Sequence, residues 1–325
     1  MKKIVYSCPF VPAEWIAAHG LRPSRIRPHA AAWPPAVHLT TGICPYARAF
    51  VNQACADADA AAVIFTTLCD QMRRASELIG LHCDRPVFLM NVPATWQSPQ
   101  AHKLYADELK RLGRFLVRLG GRAPTSEKLA EVMLECDRAR SVLRDARPGL
   151  SAGQYSQAIA DLQASGQWRR GAAEAAGPVR GVAVALVGGP LLQDDLGIFE
   201  LLEGLGGRVV LDATESGELC LPAPLDRRTV RADPLSSLAE AYFGSLPHPF
   251  RRPNSELYKW LKRELAARDV RGVVFRYYLW CDKWRIEAQR FKDWTGLPVL
   301  DINVNEEESP SRIAGRIEGF LEVLK

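Results

Sequence analysis

The sequence has no uninterrupted apolar run of about 18 residues, the length a helix needs to cross a bilayer. Its N-terminus also lacks an apolar segment followed by a small-residue cleavage site, so a soluble, cytoplasmic chain with no membrane contact is expected. Nor is there a long basic tract. The 42 lysines and arginines exceed the 37 acidic residues by a formal charge of +5, and the arginines come as short pairs such as Arg73-Arg74 and Arg227-Arg228. Such pairs describe a solvated face, not a nucleic-acid footprint. The mild positive balance suits a small phosphorylated ligand.

Several catalytic signatures are missing as well. Without G-x-x-x-x-G-K-[ST], the chain is not expected to hydrolyse ATP by itself. Gly204, Gly206 and Gly207 follow a predicted helix instead of opening one, so they read as a C-cap and turn. The six histidines form no H-E-x-x-H or other pair on a helix face, which argues against a zinc hydrolase. No G-x-S-x-G elbow occurs.

What is present is cysteine. Eight of them in a chain expected to carry no leader are better read as reduced thiols, some of them metal ligands, than as a disulfide framework. That points to a reducing, anaerobic setting. At 325 residues and 47% hydrophobic content the chain can build two compact cores.

The pattern along the chain is α/β. Residues 60–66 and 86–90 read as buried parallel strands, with an amphipathic helix over 70–79 between them. From 98 onward Leu104, Leu109, Leu112, Phe115, Leu116 and Leu119 recur at helical spacing, and Thr125 begins a second helix with N-cap chemistry. Residues 171–176 look like a linker. Strands then follow at 181–187, 208–211, 272–275 and 297–300, alternating with helices. The organisation predicted is an N-terminal α/β domain over 1–97, a helical segment and linker over 98–177, and a C-terminal α/β domain over 178–325. Both α/β domains are expected to be Rossmann- or flavodoxin-like parallel sheets.

Three cysteines stand out by position. Cys69 and Cys281 each lie just past a predicted strand and ahead of a predicted helix, and Cys44 sits in a turn-like Cys-Pro segment before another helix. Ligands bind at the carboxyl ends of parallel strands, and a helix N-terminus favours a thiolate. Tyr277, Tyr278, Trp280 and Trp284 are available to shelter such a site. Asp70 and Asp282, each directly after a cysteine, read as helix caps. The spacing has no C-x-x-C, so a shared metal site and buried, inert thiols both remain open. Cys55 and Cys136 fall inside amphipathic helices and read as core, and Cys83 and Cys220 fall in loops. Gly188-Gly189-Pro190 after a strand has the form to approach a phosphate, with a plain turn the favoured reading.

The chain resembles the family of 2-hydroxyacyl-CoA dehydratase and benzoyl-CoA reductase subunits and the related double-cubane-cluster proteins. The segments that carry the resemblance are Thr66-Thr-Leu-Cys-Asp-Gln-Met-Arg-Arg74, Asn91-Val-Pro93, the helix with Tyr105, Glu108 and Leu109, Trp280-Cys-Asp282, Gly296-Leu-Pro-Val-Leu300 and Arg316-Ile-Glu-Gly-Phe320. It implies that Cys44, Cys69 and Cys281 hold a [4Fe–4S] cluster, a double-cubane [8Fe–9S] group being the less favoured form. It also implies a homodimer or a heterodimer with a sister subunit, an ATP-dependent iron–sulfur activator that supplies a low-potential electron, and a CoA thioester substrate. Lyase or reductase activity would follow. Cys8, in a second Cys-Pro context, is a candidate fourth ligand that would favour electron transfer over substrate binding at iron. A non-catalytic electron-transfer or assembly partner of a larger sister subunit, and a zinc-binding structural protein, are the alternative readings.

Overall fold

The computed structural model describes residues 1–30, 43–81, 83–168, 180–304 and 309–325. The predicted linker at 171–176 and the first residues of the turn before Cys44 lie outside them. The strands are β1 (Lys3–Tyr6), β2 (Arg22–Arg25), β3 (Ala60–Thr66), β4 (Val87–Met90), β5 (Val182–Gly188), β6 (Gly207–Thr214), β7 (Gly272–Tyr278) and β8 (Val299–Val304). They form two four-stranded sheets, ordered β2-β1-β3-β4 and β6-β5-β7-β8, with every pairing parallel. The two sheets therefore share one strand order. This is the α/β architecture expected from the alternating pattern.

The helices are α1 (Ala13–Ala18), α2 (Pro45–Ala56), α3 (Asp70–Leu78), α4 (Pro99–Arg118), α5 (Ser126–Ala146) and α6 (Ala152–Ser165). After β5 come α7 (Gly197–Gly204), α8 (Arg227–Ala232), α9 (Pro234–Ala239), α10 (Ser255–Ala267), α11 (Asp282–Thr295) and α12 (Pro310–Leu324). Among the described residues no helix is long and apolar enough to cross a membrane.

Both faces of each sheet are buried, as parallel sheets require. Alternate residues of β1 divide accordingly. Ile4 and Tyr6 pack with Tyr105, Leu109, Leu112 and Leu116 of α4, whereas Val5 joins a core that continues into the second sheet through Leu211 and Phe275. The far face of the second sheet, including Val184 and Val274, closes against Phe199 of α7 and Ile317 and Leu321 of α12. One core thus spans both sheets. Tyr105, Leu109, Leu112 and Leu116 lie four, three and four residues apart, which is the stripe a helix buries. Leu104 falls off that stripe and is 54% exposed.

The N-terminal sheet holds an element that pattern reading does not find. β2 is Arg-Pro-Ser-Arg, with no apolar alternation, and it forms because its backbone pairs with β1 along the sheet edge. Proline is tolerated on such an edge.

Candidate metal centre

Sheets that share the order found here reverse their winding between β1 and β3 and between β5 and β7, and the crevice beyond the strand ends at such a reversal is where open α/β sheets bind ligands. The structure brings the two crevices together. A cavity with about 580 Å³ of empty space, partly open to solvent, is lined by Ser7, Cys8 and Pro9 after β1 and by Leu68 and Cys69 after β3. Pro190 after β5, Glu215 after β6, and Trp280, Cys281 and Lys283 after β7 complete it, with Cys44 entering from the start of α2.

Cys44, Cys69 and Cys281 repeat one local construction. Each is the N-cap residue of the helix that follows, α2, α3 and α11 respectively. The sequence assigned the capping role to Asp70 and Asp282. Both instead occupy the first helical turn, and Asp70 is turned to solvent, where it accepts a hydrogen bond from Arg73 at 3.2 Å. The cap positions belong to the thiols, which places each cysteine at a helix N-terminus. Cys44 is further fixed by its backbone N–H, which donates to Gln71 Oε1 at 2.9 Å.

The helix termini do not by themselves make Cys44 or Cys281 acidic. Burial pushes Cys44 up to about 11, against the opposing pull of the Ala47 and Tyr46 N–H groups. Burial also raises Cys281 well above the ordinary thiol range, with Lys283 opposing it. Cys8 is likewise pushed up to about 11 by burial, with Thr66 and the Phe10 backbone pulling the other way. Desolvation outweighs the dipole here. Deprotonation of these sulfurs therefore calls for a cation or metal in the cavity.

One cation is built in. Lys283 reaches Glu215 Oε1 at 3.1 Å and is held in the charged state, because the Glu215 carboxylate outweighs its burial. Glu215 is held well below the usual carboxylate range by Lys283 and His248, despite its burial. The same oxygen accepts the Trp284 indole N–H at 2.5 Å. His248 Nε2 stands 3.3 Å from it but is too poorly aligned to count as satisfied. Arg25 binds the two sheets across the cavity, donating from Nε to Ser7 O at 2.7 Å and from Nη2 to Glu215 O at 2.9 Å.

Gly188 ends β5, and Gly189 lies beside Cys281. Gly188 has φ +145°, and a side chain there would collide with the Arg276 carbonyl. A Cβ on Gly189 would stand 3.8 Å from Cys281 Sγ. The turn expected at this position thus brings bare backbone up to the sulfur.

Residues 8–324 match the family of the 2-hydroxyglutaryl-CoA dehydratase D-component. The chain belongs to this family. No curated protein matches it.

In this dehydratase-component chain, the residues that sequence reasoning missed are Arg25, Glu215, His248 and Lys283. Arg25 lies in the unpatterned strand β2, and His248 in an irregular Pro-His-Pro segment. Only Lys283 had a local signal, two residues after Cys281. Of the four aromatics proposed as shelter, Trp280 alone lines the cavity. Tyr278 is spent on Asp195 and the Leu192 N–H, and Trp284 supports Glu215 from behind. Among the described residues no three His, Cys, Asp or Glu side chains are grouped closely enough to enclose a single metal ion.

Proposed function

We propose that the chain is the iron–sulfur component of a 2-hydroxyacyl-CoA dehydratase-type system, with Cys44, Cys69 and Cys281 as thiolate ligands of a [4Fe–4S] cluster. The observation that carries this reading is the convergence of three N-cap cysteines on one cavity at the paired crevices. The donor set and the room fit a polynuclear group. A cluster bound there would supply one-electron chemistry at low potential. This chain's own part is to hold the sulfurs on helix termini, limit water through Trp280, Leu68 and Met72, and set the local charge through Lys283 and Glu215.

In this reading an ATP-dependent activator delivers the electron, a sister subunit completes the assembly, and a CoA thioester or other small substrate receives the electron. Cys8 favours a second reading. It lines the same cavity, and as a fourth thiolate it would leave no iron open to substrate, which suits electron transfer.

Anaerobic purification or reconstitution with iron and sulfide tests the proposal. The expected product is brown, with about four irons per chain and matching acid-labile sulfide. A colourless, zinc-containing protein would overturn it. Turnover of CoA thioesters with an activator ATPase then separates catalysis from electron relay.

A further inference from the structure

Two cysteines that the candidate centre does not use lie at the opposite ends of the helices that build it. α2 starts at the Cys44 cap and has Cys55 in its last turn, roughly 17 Å away at 1.5 Å per residue. α3 starts at the Cys69 cap and continues through a short 3-10 turn, Ile79–Leu81, to Cys83. α2 packs along α3, so the far ends of the pair meet as the near ends do.

We propose that Cys55 and Cys83 form a reversible dithiol–disulfide site. The two side chains lie close enough to interact electrostatically. Both are half-buried and pack on the core shared by the two sheets, so each is reachable from solvent. The backbone holds them in place independently of the sulfurs. Arg85 Nη1 donates to Cys55 O at 2.8 Å and also to Ala54 O, which ties the segment carrying Cys83 to the end of α2. The Cys83 N–H donates to Ile79 O at 3.0 Å, which fixes the turn. The other cysteines outside the cavity differ. Cys220 accepts from Gln163 Nε2 and donates to Gly217 O, each at 2.8 Å, and Cys136 lies beside the buried Glu14 and Arg140.

The oxidant is a low-molecular-weight disulfide. One of the two cysteines, as its thiolate, attacks one sulfur of the reagent, whose S–S bond breaks and releases one thiolate. The other cysteine then displaces the second thiolate from the mixed disulfide. The protein gives up two electrons and two protons, and the reagent takes both up as two thiols. The bridge fixes the far end of α2 against α3. That it would thereby fix the spacing of Cys44 and Cys69 rests on the cluster reading, whereas the bridge itself does not.

The test uses the full-length, metal-free, fully reduced protein, incubated without oxygen with oxidised glutathione. Thiol counting and peptide mass mapping under non-reducing conditions are expected to show two thiols lost and residues 55 and 83 in one linked peptide pair, reversed by dithiothreitol. Cys55→Ser should arrest at a glutathione adduct on Cys83. Retention of all eight thiols, a stable glutathione adduct in the unsubstituted protein, or a bridge between other cysteines would overturn the proposal. The wild-type count decides even if the variant does not fold, and because iron is absent, the outcome does not depend on the cluster reading.

Discussion

Lys283 Nζ lies 3.1 Å from Glu215 Oε1, in a buried ion pair that joins the end of β6 to the first turn of α11 across the second sheet. Both charges are largely shielded from water, so each depends on the other.

Removing one partner should therefore cost far more than a surface salt bridge would. Lys283→Met and Glu215→Gln are each expected to destabilise the metal-free protein by about 3–5 kcal/mol, whereas the double variant should recover part of that loss. Denaturant unfolding of the four proteins in a double-mutant cycle measures the coupling. Additive losses would refute it.

Acid should weaken the same cluster, beginning at His248. Burial lowers this imidazole from 6.5 to about 4. Nδ1 accepts the Phe250 N–H at 3.1 Å, so the neutral ring carries its proton on Nε2, towards Glu215. A depressed histidine contributes stability that is fully present above pH 6.5 and is lost as pH falls toward 4, because the unfolded chain takes up the proton first. At about 1.4 kcal/mol per pH unit the whole window is worth at most roughly 3–4 kcal/mol. Glu215 starts from 4.5 and contributes only at more acid pH. His19 is depressed by burial too, so the comparison needed is between wild type and His248→Gln. The variant should show a shallower loss of stability between pH 6.5 and 4.5, and equal slopes would count against this account.

Adjacent glycines should behave differently. Gly188→Ala places a methyl group on the Arg276 carbonyl and forces an L-residue into φ +145°, so a loss of more than about 3 kcal/mol is expected. Gly189→Ala meets only ordinary contacts with Trp284 and Cys281 and should stay within about 1 kcal/mol of wild type. Thermal melts of the two variants check the contrast.

Iron content should single out the cavity cysteines. Serine at Cys44, Cys69 or Cys281 is expected to lower bound iron after anaerobic reconstitution severalfold, whereas Cys136→Ser, outside that cavity, should match wild type. Equal iron in all four variants would exclude the ligand set.

Much of the fold was legible because parallel strands buried on both faces leave continuous apolar runs, as in Ala60–Thr66 and Val182–Gly188. The edge strand Arg22–Arg25 was not, since only pairing with β1 makes it a strand. The positions of Cys69 and Cys281 followed from the strand-then-helix alternation, and the structure adds that Cys44 occupies the same N-cap position. The charged half of the site was hidden for a different reason. Arg25, Glu215 and His248 are far apart in sequence and meet only when the two sheets pack, so no local pattern could group them. Their burial also defeats the expectation that a helix terminus alone would yield thiolates: desolvation, which depends on the assembled cavity, raises Cys44 and Cys281 instead.

The reach of Arg25 from the edge of the first sheet to the Glu215 carbonyl, over a core common to both sheets, bears on how the molecule comes apart. Neither half can melt without stripping apolar surface and a buried guanidinium partner from the other. Heating should therefore give one cooperative transition instead of two. A fragment carrying either sheet alone would have an open, unsatisfied face where the cavity should be, so the thiols of this site can be assembled only by the whole chain.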